Sequence, residues 1–160
     1  MSDSSTATSS AVGLAVPDFT AAATGGNFTL SAQRGKPVVL YFYPKDNTPG
    51  CTTQAQQFRD LHTEFVKAGC TVLGVSRDSL KSHESFKAKL GLPFELISDS
   101  DSAVCRMIDV IKNKMMYGKQ VVGIERSTFL IDGKGILRHE WRKTKADGNA
   151  ATVLDTVMKL

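Results

Sequence analysis

Six consecutive apolar residues, VVLYFY at 38–43, stand between Pro37 and Pro44. An unbroken β-branched and aromatic run of that length predicts a central strand covered on both faces. Ala55, Phe58, Leu61, Phe65 and Val66 then recur at helical spacing until Gly69, which predicts one helix with a glycine stop. TVLGVS at 71–76 reads as a second strand, and Leu80, Phe86 and Leu90 mark a second helix closed by Gly91 and Pro93. A short strand at 94–97 and a short helix at 103–110 follow. Apolar runs at 124–131 and 136–141, joined by Asp132-Gly133-Lys134-Gly135, predict a hairpin, and Val153, Leu154, Val157 and Leu160 predict a closing helix. Strands alternating with helices, then a hairpin and a helix, place the chain in the α/β class, with a mixed central β-sheet flanked by α-helices. No internal repeat interrupts 11–160, which reads as one domain. MSDSSTATSS at 1–10 has no apolar period and reads as a disordered tail.

Composition narrows the classes. A chain of 160 residues supports one hydrophobic core, and 41% hydrophobic with 22% charged residues is the balance of a soluble globular protein. No apolar run approaches the roughly 18 residues of a membrane-spanning helix, so no membrane association is expected. The net charge of +4 is dispersed, which gives nucleic-acid binding little support. The first basic residue is Arg34 and the apolar stretch at 11–16 stops at Pro17. An export signal or transit peptide would need earlier positive charge, so a cytoplasmic protein is expected. Three cysteines, Cys51, Cys70 and Cys105, are too few and too far apart for a disulfide scaffold. Their odd number leaves at least one thiol outside any internal bridge.

The loop 44–52, PKDNTPGCT, is dense in turn residues and delivers Cys51 to the start of the predicted helix. Free N–H groups and the positive dipole end of a helix favour an anion, so this setting lowers a thiol's pKa. A turn rich in Pro and Gly is expected at the surface, which argues against a buried structural cysteine. Ionisation alone has a limited effect. A thiol of pKa ~8.5 is already a few per cent ionised near neutrality, so complete ionisation gains only about tenfold. A reactive Cys51 therefore needs a cation and a hydroxyl aimed at the same point.

The pattern PxxxTxxC, carried by Pro44, Thr48 and Cys51 within YFYPKDNTPGCTT, resembles the active-site signature of the peroxiredoxins, and the text around it resembles their bacterioferritin-comigratory-protein, or Q-type, branch. The likeness runs from about Gly13 onward. It takes in Pro17-Asp18-Phe19, TVLGVS at 71–76, KSHESF at 81–86 and MYGKQVVGIERSTFLID at 116–132. It implies a thioredoxin-like fold, which is also the simplest arrangement for this order of elements. It implies a thiol-dependent peroxidase that reduces hydrogen peroxide and organic hydroperoxides without metal, flavin or heme. In that reading Cys51 is the peroxidatic nucleophile, Thr48 hydrogen-bonds and donates to the peroxide, Pro44 shields the thiolate, and Arg126 holds thiolate and peroxide together. Thioredoxin or another small thiol is the expected reductant, and a monomer the expected state.

Attack leaves a sulfenic acid that a second thiol must reduce. Positions where the branch often carries that thiol hold Gln56 and Lys87 here. Cys70 and Cys105 read as core residues, with Cys105 the one internal candidate for resolution. A one-cysteine cycle is the leading expectation. His62, His83 and His139 lack ligand spacing, Asp99-Ser100-Asp101 lacks the rest of a calcium loop, and Arg142-Lys143-Thr144-Lys145 reads as a solvated strand end, so no metal or phosphate site is expected. A thiol–disulfide exchange enzyme is the first rival, disfavoured because Thr52, Thr53 and Gln54 follow Cys51 where Cys-x-x-Cys would need a partner. A redox sensor without turnover is the second.

Overall fold

The computed structural model describes residues 12–160, so the tail predicted at 1–10 lies outside the described residues. A short antiparallel pair, β1 (Thr20–Ala21) and β2 (Phe28–Thr29), leads into a 3-10 turn, Leu30–Gln33, and then into β3 (Val38–Phe42). Next come α1 (Pro49–Asp60), α2 (His62–Lys67), β4 (Thr71–Ser76), α3 (Leu80–Leu90), β5 (Glu95–Ser98) and α4 (Ala103–Met107). The chain finishes with β6 (Ile111–Met116), β7 (Lys119–Ile124), β8 (Ser127–Ile131), β9 (Leu137–Trp141) and α5 (Asn149–Met158). The main sheet has the order β5-β4-β3-β8-β9. β3 runs parallel to β4, and β4 to β5, while β8 is antiparallel to both β3 and β9.

The unbroken apolar run of β3 has its explanation in two cores. Val38, Leu40 and Phe42 face one way, into a cluster with Phe28, Leu30, Val104, Cys105 and Ile108. Val39, Tyr41 and Tyr43 face the other way, onto Ala55, Phe58, Phe65, Phe86 and Val153. Side chains alternate along a strand, so a strand with a core on each face must be apolar at every position. α1, α2, α3 and α5 cover the second face; the N-terminal pair and α4 cover the first.

Three predicted elements change. The helix expected from 51 to 68 is two helices, because Leu61 leaves helical geometry at φ −99°, ψ 3°. The bend brings Phe58 and Phe65 onto the sheet with ring centroids 5.7 Å apart, and turns Val66 to solvent at 57% exposure. The helix expected at 103–110 ends at Met107, since Asp109 takes φ 61°. The strand expected at 124–131 is split. Ile124 ends β7, residues 125 and 126 leave the strand, and β8 begins at Ser127. β6 and β7 form an antiparallel hairpin that no apolar alternation announced. Its loop, Tyr117-Gly118, has φ 52° and 77°, the two positive angles of a type I′ turn whose twist matches the strands.

Gly74 faces the ring stack of Tyr41 on Phe58, whose centroids are 4.5 Å apart. A Cβ there would stand 2.8 Å from Tyr41 Cζ and 2.8 Å from Leu96 Cδ2, in a core with no room to yield. Gly74→Ala should cost about 1–3 kcal/mol, read from the urea midpoint. The Tyr41 hydroxyl is buried without a partner among the described residues. Tyr41→Phe should therefore be at least as stable as the parent, because only an unsatisfied group is removed. A clear loss of stability would contradict that account.

Candidate active site

α1 opens on Thr48 at the N-cap, φ −91° and ψ 154°, with Pro49 in the first helical position, where its missing N–H costs nothing. The first intrahelical bond runs from Thr52 N–H to Thr48 O at 2.9 Å. The N–H groups of Gly50 and Cys51 precede it and face out of the positive end of the helix. Pro44, Lys45, Asn47 and Pro49 are exposed, as turn chemistry predicts. Cys51 is not, at 1% exposure. The expectation of a cysteine at the surface is corrected here. Cys51, Ala55 and Phe58 share one helix face, by the i, i+4, i+7 spacing, and that face packs on the sheet.

Arg126 occupies the break before β8. Because Phe42 pairs with Ser127, this break lies at the carboxyl end of β3, where α1 begins. The Arg126 Nη2 is 3.4 Å from Cys51 Sγ. Its Nη1 donates to Gln54 Oε1 at 2.7 Å. Gln54 Nε2 donates to Asn149 Oδ1 at 3.0 Å, and Thr128 Oγ1 donates to that same oxygen at 2.8 Å. With two donors on Oδ1, the orientation of each amide is fixed, and the Gln54 carbonyl must face the guanidinium. Gly50 is the residue that admits this approach, since a Cβ there would lie 3.1 Å from Nη2.

The Thr48 hydroxyl donates to Lys45 O at 2.8 Å. Its proton is used within the loop, so the oxygen presents lone pairs to the site. The expected donation from Thr48 to a peroxide would have to compete with this bond. Pro44 stands on the exposed side of the same loop.

All three cysteines are free thiols. Burial pushes the Cys70 thiol up to about 12, against a small opposing contribution from a Val39 backbone bond. Burial, with the Asp99 carboxylate beside it, raises the Cys105 thiol further. Cys105 belongs to the cluster on the face of the sheet opposite Cys51. Cys70 shares the face of Cys51 but not the end of the sheet. Its neighbour Thr71 pairs with Val38, the first residue of β3, whereas Cys51 follows the last. At ~3.3 Å per residue that strand alone separates them by more than about 13 Å. The structure thus brings Cys51 and Arg126 together, with Thr48 and Pro44 on the adjoining loop, and leaves Cys105 apart.

Gln54 and Asn149 were not singled out by the sequence. Gln54 carried a usable signal, three positions after Cys51 on the same side of a helix. Asn149 carried none. Among the histidines, only His83 lies in a cluster with acidic groups, Asp46 and Asp78, among the described residues.

A thiol on the first turn of a helix, held against a guanidinium at the carboxyl end of a parallel strand, defines a thiol-based redox enzyme on a thioredoxin-like fold. The chain belongs to the AhpC/TSA family, whose pattern matches residues 12–140. It is 58% identical over 130 residues to peroxiredoxin Bcp of Xanthomonas campestris pv. campestris, covering 81% of each chain. Peroxiredoxin Bcp of Bacillus subtilis is 49% identical over 133 residues, 83% of this chain and 85% of its own. A structure of Xanthomonas campestris peroxiredoxin Q superposes with a TM-score of 0.85 at 54% identity, covering 88% of this chain and 90% of that one. Its activity is that of a thiol peroxidase working through a peroxidatic cysteine.

Iodoacetamide at neutral pH should leave Cys70 and Cys105 unmodified in the folded protein and modify both in denaturant. Peptide mass mapping reads the result, and labelling of Cys105 in the native state would contradict its placement.

Proposed function

We propose that Cys51 is the peroxidatic residue and that an external thiol resets it in a one-cysteine cycle. The observation that carries this is the 3.4 Å approach of the Arg126 guanidinium to the Cys51 sulfur on the first turn of α1. The thiolate attacks the terminal oxygen of a hydroperoxide and gives it an electron pair. An S–O bond forms as the O–O bond breaks, and the leaving alkoxide or hydroxide takes a proton from water. The attacked oxygen keeps its hydrogen, so Cys51 becomes a sulfenic acid.

Arg126 stays protonated throughout and faces the charge as it passes from sulfur to the leaving oxygen. The free N–H groups of Gly50 and Cys51 supply neutral donors, and Thr48 Oγ1 accepts the O–H that remains on the attacked oxygen. Pro44 keeps bulk water off the sulfur. The Xanthomonas bacterioferritin comigratory protein is described as having alkyl peroxide reduction activity. That supports organic hydroperoxides as substrates here, beside hydrogen peroxide.

Reduction is completed from outside. A first thiol displaces water from the sulfenic acid to give a mixed disulfide, and a second thiol releases Cys51 as the thiol. Thioredoxin or another small thiol of the cytoplasm fits this role. Two cysteines 36 positions apart have each been replaced in structures of the Xanthomonas relative. The same interval counted from Cys51 ends on Lys87, which here pairs with Glu95 at 2.6 Å. Cys105, behind the sheet, is a poor substitute.

Cys51→Ser should abolish peroxide consumption. Arg126→Ala should lower the second-order rate at least about a hundredfold in stopped flow, and a loss below about tenfold would contradict its role. Replacing Cys70 and Cys105 together with Ser should leave thiol-dependent turnover intact. Intact mass after one equivalent of peroxide should then show one added oxygen on Cys51 and no internal bridge.

A further inference from the structure

Beside the loop 44–48 lies a buried charged cluster that the steps above do not use. His83 Nδ1 on α3 is 2.7 Å from Asp46 Oδ2 in the loop, with side chains 0% and 1% exposed. On the other edge of the ring, Nε2 is 2.8 Å from the Ile97 carbonyl oxygen. A carbonyl only accepts, so Nε2 carries a proton. The Asp46 carboxylate already accepts from the Tyr43 hydroxyl on Oδ1 at 2.6 Å and from the Ser82 hydroxyl on Oδ2 at 2.8 Å. Burial alone would raise its pKa, but the bonds from His83, Tyr43 and Ser82 outweigh burial and hold the carboxyl below its ordinary value. The other ring nitrogen, Nδ1, faces that carboxyl group. His83 thus bridges the Asp46 carboxyl group and the Ile97 carbonyl, and ties α3 to the loop.

The loop is held by its main chain as well. Asp46 N–H donates to Asp78 Oδ2 at 2.9 Å, and the Ser76 hydroxyl donates to the same oxygen. Lys45 supplies the carbonyl that takes the Thr48 proton. Only Asn47 separates Asp46 from Thr48, and it sits in the left-handed region at φ 64°, a conformation Asn tolerates. Where Asp46 is fixed therefore decides where the Thr48 oxygen stands.

We infer that His83 is a positioning residue for peroxide reduction, fixing Asp46 and through it the loop that carries Pro44 and Thr48 beside Cys51. The inference rests on Cys51 and Thr48 being the groups that meet peroxide. Breaking this tether should impair the step that needs the loop while sparing reactions that need only the sulfur and Arg126. A misplacement near 1 Å is worth up to about a hundredfold in rate.

Two variants test it. His83→Leu removes both bonds. Asp46→Asn removes the carboxylate charge and keeps the bridge, because the amide can donate one N–H to Nδ1 of a ring whose Nε2–H still meets Ile97 and the other to the Ser82 oxygen, whose hydroxyl turns to accept. For His83→Leu the second-order rate with hydrogen peroxide should fall about 10- to 100-fold, while alkylation of Cys51 by iodoacetamide changes less than about threefold. Asp46→Asn should stay within about threefold on both. If His83→Leu does not fold by circular dichroism, His83→Gln, which can reach only one acceptor, takes its place. A fall in its ratio of peroxide rate to alkylation rate supports the inference. An unchanged ratio, or a loss in Asp46→Asn equal to that of the His83 variant, overturns it. Absence of Cys51-dependent peroxide reduction in the parent protein would instead overturn the peroxidase reading itself.

Acid stability gives a second measure. The groups facing Asp46 are His83 from α3, Asp78 from the connection before it and Tyr43 from the end of β3. Because the folded carboxyl lies below its unfolded value of ~3.9, its contribution is present above that pH and is lost as pH falls through the folded value. Asp46→Asn should flatten this acid limb in urea titrations, and an unaltered limb would count against these bonds to the carboxylate.

Discussion

Arg126 Nη2 and Cys51 Sγ meet across 3.4 Å from positions 75 residues apart in the chain. Much of the surrounding architecture keeps that gap closed. A guanidinium beside a buried sulfur needs its remaining donors satisfied, or desolvation outweighs the attraction. Gln54 accepts from it, Asn149 orients Gln54, and Thr128 on the strand that follows Arg126 donates to the same Asn149 oxygen. α1, α5 and β8 are tied together by these bonds. The contact is therefore a property of three packed elements and not of two mobile side chains.

Sheet topology puts Cys51 and Arg126 where they are. α1 leaves the carboxyl end of β3, as ligand sites in open α/β sheets do. β8 returns antiparallel on the neighbouring edge, so the residue before it arrives at that same end. The split between β7 and β8 leaves Arg126 outside the ladder, with its side chain directed at the helix start. A strand continued through residues 125 and 126 would have committed that segment to sheet pairing.

How much of this the sequence discloses varies by element. β3 is legible because a six-residue apolar run between two prolines suits only a strand with two covered faces. The hairpin of β6 and β7 is not, since KNKMM and KQVVG have no apolar face and the pairing depends on the Tyr117-Gly118 turn. Turn residues locate the loop before Cys51 but do not say which way the first helical turn points its side chains. Only the packing of Ala55 and Phe58 settles that. Arg126 could be named only through resemblance, because an arginine at a strand end looks like any surface cation. His83 escaped a search for metal ligands because its partner is a loop carboxylate distant in sequence. Gln54 was readable by helical spacing alone.

The central sheet also divides the sulfur chemistry. Cys51 lies in the helix-covered core, Cys105 in the opposite one, and Cys70 at the far end of the strand. In the one-cysteine cycle proposed above, no relay of sulfurs crosses the molecule, and an oxidising equivalent has to leave on an external thiol. The lifetime of the oxidised enzyme is then set by its surroundings, shortening where reductant is plentiful and lengthening where it is scarce.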